Sequence, residues 1–302
     1  MLKRTISGAV YVATVIGFFL LRNYVDYRLF DVLTAFFCAV GTFEIARAVK
    51  SYLVKSNFTL AVVFGCIFTP VFYLAEACAK DKGDPTLVGA CVCLILTVTV
   101  VILQAFICGY AAGNGKEQGK TEKSAIKLFA PNVLPFLYPS LLLLTFICAN
   151  RLDSGYICLL LIFVISPASD TFAYLVGMTY NMIRKGKAKK LCPVLSPKKT
   201  WAGAIGGVIG GVVGALVIYF IYGKNAVFTD GVMPTVVTFI AVGVIASVLT
   251  EMGDLFESYI KRKVGIKDMG RIMPGHGGIM DRIDGMSLAG AFIYFWFLVF
   301  VG

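Results

Sequence analysis

Long apolar runs, separated by short polar stretches, recur from one end of the chain to the other. A helix needs about 20 mostly apolar residues to cross a bilayer. Runs close to that length occupy residues 5–21, 29–49, 58–78, 86–112, 128–149, 156–178, 201–222, 234–256 and 286–301. Such segments are helices, because a helix satisfies its own backbone groups in lipid and an open sheet does not. A transmembrane barrel would instead show segments of about ten residues with alternating polarity. The pattern therefore predicts an all-α, polytopic integral membrane protein of nine transmembrane helices. It divides into 1–127, with the first four spans and a linker, and 128–302, with the last five spans and two long loops.

Composition agrees with the pattern: 58% of the 302 residues are apolar and only 15% are charged. Charge adds an orientation. If the spans alternate, one side keeps only Arg22, Arg28, Lys80, Lys82, Arg151 and Lys224 of the 28 basic residues. The positive-inside rule then puts the N-terminus and the long basic loops in the cytoplasm, with the C-terminus outside. The first span follows "MLKR" but runs into "GFFLLRNYVD" without a small-x-small cleavage site, so a retained helix is expected. Glu44 and Arg47, three residues apart near the end of the second span, read as a local ion pair. Nine cysteines are scattered through apolar segments without zinc-ligand spacing and read as small core residues. The net charge of +11 by itself implies attraction to anionic lipid headgroups.

Polar residues concentrate in two of the basic loops, Thr179 to Thr200 and Gly253 to Gly285. If the eighth span continues as a helix, Asp254, Ser258 and Lys261 fall on one face. An ordinary helix end with solvated charges would look the same. Glu251 and Asp254, however, stand at the edge of an apolar run, where ionisable groups are costly. The stretch "PGHGGIMDRIDGM" follows, with the only histidine, His276. Glycines at 270, 275, 277 and 278 permit close approach and a nest of N–H groups for anionic oxygens. Asp281 and Asp284 share a face if the last helix begins near Gly278, a spacing suited to Mg²⁺. Arg282 between them is placed to reach phosphate or a carboxylate. The combination points to metal-assisted chemistry on a phosphate-rich substrate at the cytoplasmic surface.

The stretch "SYIKRKVGIKDMGRIMPGHGGIMDRID", Ser258 to Asp284, closely resembles the signature of the phosphatidate cytidylyltransferases, or CDP-diacylglycerol synthases. The matching positions are Ser258, Lys261, Arg262, Lys267, Asp268, Gly270, Met273, Pro274, His276, Gly277, Gly278, Asp281, Arg282 and Asp284. Met273 stands where the family usually has Leu, Ile or Phe. "SDTFAYLVG" and "SPKKTWAG" upstream are also similar to family segments, with Ala202 where members often carry Glu or Gln. The resemblance is strong from about residue 165 onward; before that it extends only to hydrophobic spans.

The resemblance implies the reaction CTP + phosphatidate → CDP-diacylglycerol + pyrophosphate, with Mg²⁺ as cofactor and room for a second cation such as K⁺. It implies Asp254, Asp281 and Asp284 as metal ligands, with Lys261 completing the catalytic set. Substrate contacts would come from Ser196, Lys198, Lys199, Ser258, Arg262, Lys267, His276, Gly277, Gly278 and Arg282. Asp170, inside an apolar span, is left between a role in the polar centre and pairing with a buried base. Expected partners are CTP, phosphatidate and membrane lipids, with a homodimer left open and nucleic acid not expected. The expected location is the cell membrane, with the site on its cytoplasmic side.

Two other readings stay open on sequence. A CTP-dependent lipid-alcohol kinase would need a base near its acceptor hydroxyl, and His276 is the only histidine. A transporter would spread polar residues over midplane helices rather than gather them at one edge.

Overall fold

A computed structural model describes residues 2–53, 57–79, 84–117, 125–222, 235–275 and 277–301. Among the described residues nine helices are long and apolar enough to cross a membrane, one for each expected span. They are α1 (Leu2–Tyr24), α2 (Arg28–Ala48), α3 (Asn57–Cys78), α4 (Pro85–Glu117), α5 (Ala125–Arg151), α6 (Gly155–Ile183), α7 (Trp201–Ile221), α8 (Thr235–Val264) and α9 (Met280–Phe300). The protein is an all-α, multi-pass membrane protein. Among the described residues its one small sheet is a hairpin of β1 (Lys190–Cys192) and β2 (Ser196–Thr200), paired Lys190 with Thr200 and Cys192 with Ser196.

Several helices outrun the apolar runs that predict them. The eighth run ends at 256 while α8 continues to Val264, and the ninth begins at 286 while α9 starts at Met280. Hydropathy marks where side chains turn polar, whereas a helical backbone continues while its ladder and packing support it. Polar residues expected in loops thus stand on rigid helix ends.

The chain forms two compact units, residues 1–148 with 266–281, and residues 149–265 with 282–302. In the first, α2 packs on α1 and α3, and α3 on α4. Its core is aromatic, with Phe64 edge-on to Phe136 at 5.2 Å between centroids. Asn57, Gln104 and Asn132, each 0% exposed, satisfy one another's amides and tie α3, α4 and α5 together.

The second unit is built on α7, whose glycines let neighbouring backbones approach closely. A Cβ at Gly210 would meet Phe172 Cβ at 2.5 Å and Ala168 O at 2.7 Å, both on α6. On the other flank Gly243 of α8 sits against Val212, where a Cβ would meet Cα at 2.9 Å. Held between α6 and α8, α7 begins directly after β2. Thr200 caps it, its Oγ1 accepting from Gly203 N at 3.1 Å.

Candidate active site

The second unit gathers most of the expected residues. Because α8 stays helical to Val264, Asp254, Ser258 and Lys261 do share a face. Ser258 Oγ donates to Asp254 Oδ1 at 3.4 Å, and Lys261 Nζ lies 2.5 Å from Glu257 Oε2. Glu257 is 0% exposed, and its side chain interacts with the Asp284 carboxyl on α9. Sequence reasoning misses Glu257, although its position one turn after Asp254 and four residues before Lys261 puts it on the same stripe.

Two glycines let α9 come close enough for this meeting. A Cβ at Gly253 would meet Asp284 O at 2.7 Å, and one at Gly285 would meet Thr250 O at 2.6 Å. The helices therefore touch backbone to backbone beside Asp254 and Asp284. Asp284 Oδ1 accepts from Gly285 N at 2.8 Å, which fixes the carboxyl.

The hairpin brings basic groups to the same place. Lys199 Nζ is 2.8 Å from Asp254 Oδ2. Lys198, exposed on the same strand, lines a cavity of about 510 Å³ with Lys190, Asn181, Tyr174, Glu251, Asp254 and Asp170. Asp170, on α6, thus lines the same cavity as Lys199 and Asp254. Arg262 has a local task, its Nε donating to Leu195 O at 3.3 Å and so fastening the hairpin turn. Ser196 opens β2, half-buried and paired with Cys192.

The glycine-rich loop belongs to the first unit. Gly275 and Gly277 adopt φ of 79° and 89°, a left-handed backbone that other residues resist. They close a tight turn in which Met273 N donates to Gly277 O at 2.9 Å. Asp281 Oδ2 accepts from Met269 N at 2.9 Å and from Gly278 N at 2.7 Å, so this carboxylate ties the loop to the head of α9. The Gly278 amide, expected to face an anionic ligand, is thereby engaged within the protein. Lys267 is exposed on the loop. His276 lies outside the described residues.

A carboxylate from α2, read in the sequence as one half of a local pair with Arg47, also reaches this loop. Glu44, 1% exposed, accepts from Met280 N through Oε2 at 2.8 Å.

Among the described residues no three His, Cys, Asp or Glu side chains form a ready metal cage. Asp254 and Asp284 nevertheless fit Mg²⁺, which is commonly held by one or two carboxylates with water and substrate phosphate oxygens filling the rest. The ammonium of Lys199 sits against Asp254, so that carboxylate already faces a positive charge. The site thus offers acids for a metal and ammonium groups for phosphate.

Comparison with known proteins places the chain among relatives. The sequence profile of the Cytidylyltransferase family matches residues 2–300. A Rickettsia conorii protein named phosphatidate cytidylyltransferase is 29% identical over 246 residues, 79% of this chain and 92% of the relative. A Haemophilus influenzae protein of the same name is 38% identical over 149 residues, 48% of this chain and 47% of the relative. One from Brucella abortus is 35% identical over 146 residues, 48% of each chain. In these last two comparisons the chain spans about half the length of the relative it matches. With nearly its whole length matched by the profile, the chain belongs to the cytidylyltransferase family.

Proposed function

We propose that the protein is a phosphatidate cytidylyltransferase, condensing CTP with phosphatidate to give CDP-diacylglycerol and pyrophosphate. The observation that carries the reading is the cluster of Lys199, Asp254, Glu257, Lys261 and Asp284 at the meeting of α8, α9 and the hairpin. Relatives bearing that name support it.

The chemistry asks for little covalent help from the protein. An oxygen of the lipid phosphate, already anionic near neutral pH, attacks the α-phosphorus of CTP. The bond from that phosphorus to the α,β-bridging oxygen breaks, and pyrophosphate leaves with the electron pair. Positioning and charge stabilisation are what remain to be supplied.

Lys198 and Lys199 meet phosphate oxygens from the hairpin side, and Lys261 and Ser258 from α8. Asp254 and Asp284 would hold Mg²⁺, which would supply charge neutralisation at the nucleotide phosphates. Asp281, the third metal ligand expected from sequence, is assigned instead to the loop whose amides it holds. Lys267 and Gly277 keep the substrate contacts that the family resemblance implies for them. In this reading the protein resides in the cell membrane with the site facing the cytoplasm, an orientation that the bias of the basic residues supports.

Pyrophosphate release from CTP by the purified protein tests the reading. Release should require both phosphatidate and Mg²⁺. It should fall by about a hundredfold or more in Asp284→Asn, with the variant still monodisperse in detergent. Wild-type turnover by Asp284→Asn would refute the assignment of that residue, and release without phosphatidate would refute the reaction.

A further inference from the structure

Gly270 and Gly278 do not share the left-handed backbone of Gly275 and Gly277, so conformational freedom does not explain them. What explains them is room. A side chain at either position would overlap the carboxylate of Glu44, and one at Gly270 would also meet Gly278 Cα at 2.9 Å. The loop is folded around an acid that comes from α2, more than two hundred residues earlier in sequence.

A buried carboxylate near the end of a membrane helix is costly, and an apolar residue could fill the same space without that cost. Glu44 offsets part of it by hydrogen bonding to the head of α9. Oε2 accepts from Met280 N at 2.8 Å, and the Ile279 amide lies beside it. These are amides that the first turn of a helix cannot satisfy internally. A carboxylate there also suits the positive end of the helix dipole. Asp281 takes the amides of Met269 and Gly278. The two acids together hold both arms of the loop.

We propose that Glu44 is a positioning residue for the reaction. It seats the 266–281 segment and the first turn of α9, and thereby sets where Lys267, Gly277 and Asp281 stand. The inference rests on the proposed function in treating this loop as part of the substrate site.

Hydrogen exchange on the full-length protein in detergent, run beside CDP-lipid synthesis, tests it. In Glu44→Ala, amides from 266–281 should exchange about tenfold faster while those of α6 and α7 are unchanged. The kcat/KM for CTP should fall about tenfold or more, whereas Glu44→Gln, which still accepts from Met280, stays within about threefold of wild type. Unchanged exchange in Glu44→Ala overturns the inference. So does faster exchange with undiminished synthesis. If Glu44→Ala does not fold, Gly278→Ala replaces it: its methyl should displace the carboxylate and speed exchange in the same segment. Wild-type exchange in that variant also overturns the proposal. A wild-type protein that makes no CDP-lipid refutes the proposed function instead, and the exchange difference alone then decides whether Glu44 holds the loop.

Discussion

Lys261 illustrates how much a single charge does in the site. Its partner Glu257 is 0% exposed, so removing the ammonium leaves a buried carboxylate without that cation. Lys261→Met should therefore destabilise the protein by about 3 kcal/mol, read as a lowered Tm. Adding Glu257→Gln should restore most of that stability while leaving turnover low, because charge at the phosphates is still missing. Lys199 should behave differently. Its pair with Asp254 is 23% and 34% exposed, and such partly solvated pairs contribute little to stability. Lys199→Ala is expected to leave Tm nearly unchanged and to lower kcat/KM by about tenfold or more. At this scale the acids and lysines of the site other than Glu257 are legible in the sequence because polar groups at an apolar edge are conspicuous. The role of Glu44 is not, because nothing local connects α2 with residues 270 to 280.

The elements are legible in number and less so at their ends. Nine apolar runs correspond to nine helices among the described residues. Hydropathy alone does not mark the extensions of α8 and α9, which the spacing of the acids and lysines raises only as a condition, and it is these extensions that carry Lys261, Asp281 and Asp284 on helix rather than loop. The hairpin escapes the sequence altogether. "KLCPVLSPKKT" holds two prolines and three lysines, a poor strand signal, and its pairing depends on packing against α6 and α7. The glycines of α7 show what an element needs from its neighbours. Gly210→Leu puts a side chain where α6 already has Phe172 and Ala168 O. It is expected to cost about 3 kcal/mol or more, with a loss of monodisperse protein measured by size exclusion. Gly186, where a Cβ would meet nothing within 4 Å, makes a contrasting site: its φ of 82° disfavours a side chain by backbone strain alone.

For the whole molecule, the distribution of basic residues makes a prediction about orientation. Val194, 87% exposed at the hairpin turn, is a suitable reporter. In a cysteine-free background, Val194→Cys should react with a membrane-impermeant maleimide only after the cell membrane is opened. Labelling of intact cells would reverse the topology. The reaction itself is tested most directly by following α-phosphate-labelled CTP with the purified protein, phosphatidate and Mg²⁺. The account predicts that the label moves into a chloroform-soluble CDP-lipid as unlabelled pyrophosphate is released. Label that stays with the free nucleotide while CTP is consumed would contradict it.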